Sequence, residues 1–416
     1  MSKFKIDNLK HYATTSFGVM LAQLVSFFSV PFIAKLSGAD IYGQYSYLLS
    51  ITAILSVFAS LRLEFTVFNI SETRFRLLES IFGKITACTA FILALLAFVF
   101  TEDSPSNPLI ILLAFFAMLY ATASFEFTIQ KNIKQGLFST NALTRISRAL
   151  LFPIIFYVLF LFVELSPFII MLAFALANIF PVKFFSKKLV DGKSENGFYT
   201  DCKQIIYSSK NVIKYMIPAH LLNRYSAGMF LIIVGTLIED NSALAYYSLA
   251  VKFVIAPAVI VVSAVADVIK REILISPKRA LVNYGKISIL SGLAVSLYIL
   301  GVIFMGKPVI TFAMGEEWLP AVNFAIALTP YLLALVVFSP ITYVYVIFDK
   351  QKYDYYWQLF NAFFVTLFLW LGLQKSLLIG VWYFSIASAF SISISASVCI
   401  YFAYTTNDIK VKNDDE

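Results

Sequence analysis

The sequence predicts an all-α, polytopic membrane protein of twelve transmembrane helices in two six-helix lobes around a central cavity. Three observations predict it. The 416 residues are 60% hydrophobic and only 13% charged, with a mean hydropathy of +0.82, whereas soluble domains run near half apolar and a quarter charged. The apolar residues gather in blocks that match the roughly 20 residues needed to cross a hydrocarbon core at ~1.5 Å rise each. The longest polar interval inside the chain, residues 186–211, falls near its midpoint and contains Gly192, Gly197 and a dense set of lysines.

The elements follow in order. Charge-free runs at 11–34, 42–61, 85–101 and 104–125 give the first four spans; 142–163, with Arg145 and Arg148 inside it, gives the fifth, and 165–182 the sixth. In the second half, 211–238 carries Lys214 and Arg224, and 242–268 carries Lys252 and Asp267. Charge-free runs at 287–306, 318–348, 355–374 and 376–407 complete the set. The expected organisation is an N-lobe at 1–188, a cytoplasmic linker at 189–210, and a C-lobe at 211–416 that ends in a short cytoplasmic tail. A short echo supports two related lobes: "GQYSYLLSITAIL" from 43 and "AYYSLAVKFVIA" from 245 share Tyr-Ser about half a chain apart. Six helices per lobe make such repeats parallel, related by an axis along the membrane normal. Pro31, Pro153, Pro218, Pro257, Pro330 and Pro340 fall inside spans, where each frees a backbone carbonyl and bends the axis.

Orientation follows from the basic residues, because cytoplasmic loops are enriched in Lys and Arg. With the N-terminus inside, nearly all of the 32 Lys and Arg fall in cytoplasmic segments, while only Lys35, Lys307 and Lys375 fall outside. Both termini are therefore expected in the cytoplasm of a multi-pass protein, and the net charge of +8 is a topology signal rather than a nucleic-acid footprint. Cys88, Cys202 and Cys399 form neither a disulfide framework nor a zinc set. The basic N-terminus leads into an apolar run too long for a signal peptide, which reads as a retained first span.

Enzyme chemistry has few candidates. His11 and His220 are the only histidines, so no His-based metal pattern exists, and no phosphate loop, nucleotide fingerprint or GxSxG elbow appears. The expectation is no catalytic residue, no metal and no cofactor. Charges at lipid depth remain, each costing about 2.5–3.5 kcal/mol on insertion scales unless it faces a bundle interior or a wet cavity. In "IPAHLLNRYSAGMFLIIVGTLI", Arg224 stands one turn from His220 and beside Asn223. Lys252 reaches similar depth on the next span, with no acid of these two spans at matching depth. Arg224, Lys252, Asn223 and His220 are read as lining a cavity for an anionic cargo, with Tyr225 and Tyr247 placed to stack on sugar rings. Arginine suits phosphate because its planar donors bind bidentately and stay charged. The blander alternative has Arg224 bonding carbonyls freed by Pro218 and Lys252 snorkelling outward. A second set, Arg62, Glu64, Glu126, Arg145 and Arg148, lies nearer the cytoplasmic side and reads either as a structural ion-pair network or as a gate or a proton or sodium coupling site. Asp267 is grouped with it.

The chain resembles the bacterial lipid-linked oligosaccharide flippases of the O-antigen (Wzx) type, within the multidrug/oligosaccharidyl-lipid/polysaccharide exporter superfamily. The resemblance rests on "FIAKLSGADIYGQYSYLLSITAILSVFASLRLEF" at 32–65, on "NRYSAGMFLIIVG" with "LAYYSLAVKF", and on 314–352, where Gly315, Trp318, Ala321, Pro330, Ser339-Pro340 and Lys350-Gln351 stand in the family's order. It implies a two-lobed transporter moving an undecaprenyl-pyrophosphate-linked repeat unit between leaflets of the bacterial inner membrane for O-antigen or capsule assembly, with a polysaccharide polymerase as partner. One departure is Asn223, where similar proteins often carry an acid. The rival readings are an ion-coupled drug exporter of the same superfamily and a membrane polysaccharide polymerase, the latter disfavoured by the short outer loops.

Overall fold

A computed structural model describes residues 2–68, 70–99, 107–185, 198–238, 240–348 and 350–405. Residues 189–197 of the expected linker, the tail from 406, and the side chains of His11 and Asp267 lie outside the described residues. The helices are α1 (Ser2–Ala59), α2 (Glu72–Phe98), α3 (Pro108–Lys134), α4 (Phe138–Phe162), α5 (Pro167–Phe185), α6 (Phe198–Ser208) and α7 (Lys210–Leu237), followed by α8 (Asn241–Ile275), α9 (Pro277–Ala313), α10 (Pro320–Ala327), α11 (Thr329–Phe338), α12 (Val344–Ile347), α13 (Gln351–Leu373) and α14 (Leu377–Thr405).

Among the described residues, ten helices are long and apolar enough to cross a bilayer, or eleven if the bent pair Glu316–Ala327 and Thr329–Tyr343 counts as one span. The chain is thus an all-α, multi-pass membrane protein. The first two expected spans are the two arms of α1, helices that meet at a kink where Gly38 (φ 74°, ψ 162°) leaves the helical range. That left-handed φ is open to glycine at little cost, and a Cβ there would meet nothing within 4 Å. Twelve crossings require the two arms of α1 to be counted separately. The expected single span at 318–348 is instead broken: a 3-10 turn at Glu316–Trp318, then α10, α11, a second 3-10 turn at Ser339–Tyr343 and α12, with a 45° bend after α10. Pro320, Pro330 and Pro340 stand at the starts of these pieces, because a proline lacks the N–H that would continue the previous helix. α2 begins at Glu72, well before the charge-free run at 85, since "ETRFRLLESIFGK" is helical without being apolar throughout.

Two compact units divide the chain: Met1–Gly228 with Gly235–Asn241, and Met229–Val234 with Ser242–Glu416. In the first, α1 packs on α4, α4 on α5, α3 on α5, and α2 on α3. Small residues permit the close approaches that drive helix association in lipid: a Cβ on Gly18 would come within 2.3 Å of Ala142 Cβ. α3 starts on a defined cap, the Asn107 side chain accepting from the Leu109 N–H at 2.9 Å, with Pro108 at its first position. In the second unit, α14 packs on α13 and α11. Gly372 lies so near Gly380 that a Cβ would stand 2.7 Å from its Cα. Its core at one end gathers Ile269, Ile273, Tyr284, Ile341, Val344, Tyr345, Ala396 and Cys399.

Candidate functional site

The first unit holds a charged cluster assembled from four separate elements. After Ala59 the helix of α1 stops, and Leu61 and Arg62 both take left-handed φ values, 50° and 55°. Non-glycine residues rarely occupy that region. The chain then winds into a 3-10 turn, Leu63–Phe68, which carries Glu64. α3 contributes Glu126, about 12 Å before its C-terminus at ~1.5 Å per residue. α4 contributes Arg145 and Arg148, one turn apart and ~10 and ~15 Å from its start. α7 contributes His220 and Arg224, ~15 and ~21 Å from its start.

Arg62 Nη1 donates to Glu64 Oε1 at 3.1 Å, and the two side chains are only 6% and 1% exposed. The Arg62 guanidinium also lies over the Phe65 ring, 5.7 Å from its centre, and Phe65 in turn faces the His220 ring at 5.3 Å. Arg148 sits over Phe125 at 4.4 Å. Arg224 is in electrostatic reach of Arg62 and Glu126, His220 of Arg62 and Arg224, and Glu126 of Arg145 and Arg148. The two sets that the sequence kept apart therefore meet: His220 and Arg224 share one neighbourhood with Arg62, Glu126, Arg145 and Arg148.

Charge and donor number do not balance in this cluster. Four guanidinium groups carry about twenty N–H donors against about eight carboxylate acceptor sites. Arg62 Nε and Nη2, Arg145 Nε and Glu64 Oε2 are buried without a hydrogen-bond partner, although buried polar atoms are normally satisfied. Such donors, held in a low-dielectric setting, favour an oxyanion.

The 3-10 turn that aims Arg62 and Glu64 is fixed from α3. Lys134 Nζ donates to the Val67 carbonyl at 2.7 Å and lies 4.3 Å from the Phe75 ring centre, while the buried Lys131 pairs with Glu79 of α2. Leu63 and Val67 pack with Phe75, Leu78, Phe127 and, from α6, Ile205. In the sequence Lys131 and Lys134 are two of the many basic residues expected in cytoplasmic segments; the signal that singles them out is their place in the last turn of a helix, where cations meet unpaired carbonyls.

The remaining expected residues divide by unit. Asn223 is exposed and Tyr225 half-buried on α7. On α8, Lys252 is exposed, whereas Tyr247 is 3% exposed and stacked on Phe230 at 4.0 Å, so the structure gives its ring a packing role in the second unit. Among the described residues no group of three or more His, Cys, Asp or Glu could hold a metal ion.

No family model and no curated protein matches the sequence. Solved structures do. The fold is that of membrane transporters of the MOP superfamily, several of which superpose over almost the whole chain. The lipid II flippase MurJ in an inward closed conformation matches with a TM-score of 0.72 at 14% identity, covering 94% of this chain and 87% of its own. A mutant form of the Vibrio cholerae MATE transporter VcmN matches with a TM-score of 0.60 at 13% identity over 95% of each chain. A MOP superfamily transporter from Pyrococcus furiosus matches with a TM-score of 0.57 at 12% identity, again over 95% of each chain. At these identities the likeness is one of fold.

Proposed function

We propose that the protein is a flippase that moves a lipid-linked oligosaccharide, its head joined to the lipid through a pyrophosphate, across the bacterial inner membrane by alternating access. The observation that carries this reading is the excess of arginine over carboxylate at Arg62, Arg145, Arg148 and Arg224 against Glu64 and Glu126, with buried guanidinium nitrogens left unpaired. A positive, donor-rich cluster lowers the barrier that hydrocarbon sets against an anionic head group, and the fold shared with a lipid II flippase and MATE transporters supports a transport role. In this reading the six-helix lobes 1–188 and 211–416 move about the 189–210 linker, both termini lie in the cytoplasm, and the lipid tail stays in the bilayer. Lys252 of α8 is assigned the same task as Arg224, with Asn223 and Tyr225 offering polar contacts to the sugar. A polysaccharide polymerase is the expected consumer of the flipped unit. Glu64, Glu126 and Asp267 are the carboxylates available for proton or sodium coupling.

An exporter of cationic drugs would need a surplus of carboxylate, which is the opposite of the balance found. The deciding experiment combines Arg224→Ala with Lys252→Ala in cells that depend on this chain for surface polysaccharide. Lipid-linked repeat units should accumulate and surface glycan should fall. Wild-type glycan with both residues changed sinks the assignment, and raised drug sensitivity on deletion with intact glycan moves it to the exporter class.

A further inference from the structure

α6 has two faces of opposite character. Asp201 and Ile205, with Ser209 just beyond the helix end, recur every four residues and are buried. Ile205 inserts among Leu63, Val67, Phe75 and Phe127. At ~100° per residue the other side brings Tyr199, Lys203, Ile206 and Tyr207 together, with Lys210 following at the start of α7. That side is open: Tyr199 is 79% and Tyr207 71% exposed, Lys203 and Lys210 are exposed, and Lys210 Nζ stands 4.9 Å from the Tyr207 ring centre. The only acid of the helix, Asp201, is turned away into the core.

The position of α6 decides what such a face meets. The expected span at 211–238 begins on α7 within one turn of the C-terminus of α6, which sets that end at the edge of the hydrocarbon. Its middle is level with α2 at another such edge: Cys202 is in electrostatic reach of Lys84 and Cys88, where the charge-free run of α2 starts. A helix ~16 Å long with two points at the lipid boundary runs along that boundary. Tyrosine rings settle at the head-group level, and lysines there reach lipid phosphates.

We propose that the Tyr199, Lys203, Ile206, Tyr207 and Lys210 face of α6 docks on anionic phospholipid head groups of the leaflet on its side of the membrane. The occupant is a bilayer rather than a protein because apolar and basic groups alternate on one narrow face with no acid among them, the pattern of an interfacial helix. The contact holds the last part of the segment that joins the two halves of the sequence, and through Ile205 it bears on the turn carrying Arg62 and Glu64. It holds whether the cargo is a glycolipid or not.

The test uses the full chain with a benzophenone amino acid in place of Tyr207, reconstituted in vesicles of phosphatidylcholine alone or mixed with phosphatidylglycerol. After illumination, adducts are weighed by mass spectrometry. Phosphatidylglycerol should be enriched in the adducts several-fold over its share of the bilayer. Lys203→Glu with Lys210→Glu should remove that enrichment, at about fivefold per lysine for the ~1 kcal/mol each contributes near an anionic surface. The milder Lys203→Gln with Lys210→Gln, checked for the same elution as the parent, covers the case in which the acidic pair disturbs folding. Lipid adducts in proportion to the bulk mixture, no lipid adducts, or adducts to protein alone would each overturn the proposal. Loss of glycan transport with the lipid adducts intact would count only against the flippase reading.

Discussion

Removing Arg62 while keeping Glu64 isolates the energy of the buried pair. Arg62→Ala leaves a carboxyl that is 1% exposed without its cation, and breaking a buried pair on one side costs about 3–5 kcal/mol. The carboxyl has one escape, which is to take a proton. For a group with an ordinary pKa of ~4.3 that costs about 3.7 kcal/mol at pH 7 and about 1 kcal/mol at pH 5. Burial pushes Glu64 upward and Arg62 pulls it down, so deleting Arg62 raises it further. A carboxyl raised on folding contributes its full stability below the ordinary Glu range and loses it as pH rises through its folded value. The variant should therefore be most destabilised at pH 7 and recover by roughly 2–3 kcal/mol at pH 5. Glu64→Ala leaves a guanidinium that stays charged at both values, so that variant's own stability should change little between them. The double substitution removes both charges and should be less damaging at pH 7 than Arg62→Ala alone. Thermal unfolding in detergent at the two pH values, for the parent, both single variants and the double, reads all of this as one cycle. An Arg62→Ala cost that is equal at pH 5 and pH 7, or a double variant as unstable as the sum of the singles, refutes the buried-pair argument.

Gly38→Ala should lower the unfolding temperature through backbone strain alone, by the equivalent of about 1–3 kcal/mol for a backbone region open essentially to glycine alone, because its Cβ would touch nothing within 4 Å; an unchanged midpoint would mean that the bend in α1 relaxes at no cost. Lys134→Met keeps the side-chain length but takes the 2.7 Å donor from the Val67 carbonyl, which should cost about 1–3 kcal/mol. Lys134→Arg should restore most of it in the same melt, and equal loss in both variants would show that the lysine acts by packing against Phe75 rather than as a donor.

Much of the fold was legible because lipid leaves the chain few choices: runs without charge and long enough to cross must be helices. What escaped was set by local backbone and by distant packing. The gap expected between the first two spans shrank to the single residue Gly38, since "KLSGAD" can stay helical on either side of one left-handed position. The break lies inside the charge-free run at 318–348, although Pro320 and Pro330 mark it. α2 starts before its charge-free run because Arg74, Arg76 and Glu79 lie on a stretch that is helical without being apolar throughout. In the site, spacing identified His220 with Arg224 and Arg145 with Arg148, each pair on one helix face. Nothing in spacing could show that residue 62 and residue 224 share a neighbourhood, which depends on how α1, α3, α4 and α7 pack.

The left-handed turn also explains why the charge balance comes out positive. On a continuing α-helix, residues two apart point to different faces, and Arg62 could not reach Glu64. The two left-handed residues, at roughly 1–2 kcal/mol each, end α1 and fold the chain so that these side chains close at 3.1 Å. Glu64 is thereby committed to Arg62, even as two of the guanidinium's nitrogens stay unpaired. Among the described residues, Glu126 is the carboxylate in reach of Arg145, Arg148 and Arg224. One carboxylate cannot neutralise three guanidinium groups, so the cluster keeps its positive field even when both glutamates are ionised, and protonating either one only increases it. A cluster with that property favours an anion across the neutral pH range, which supports the proposed phosphate-bearing head group over a cationic one.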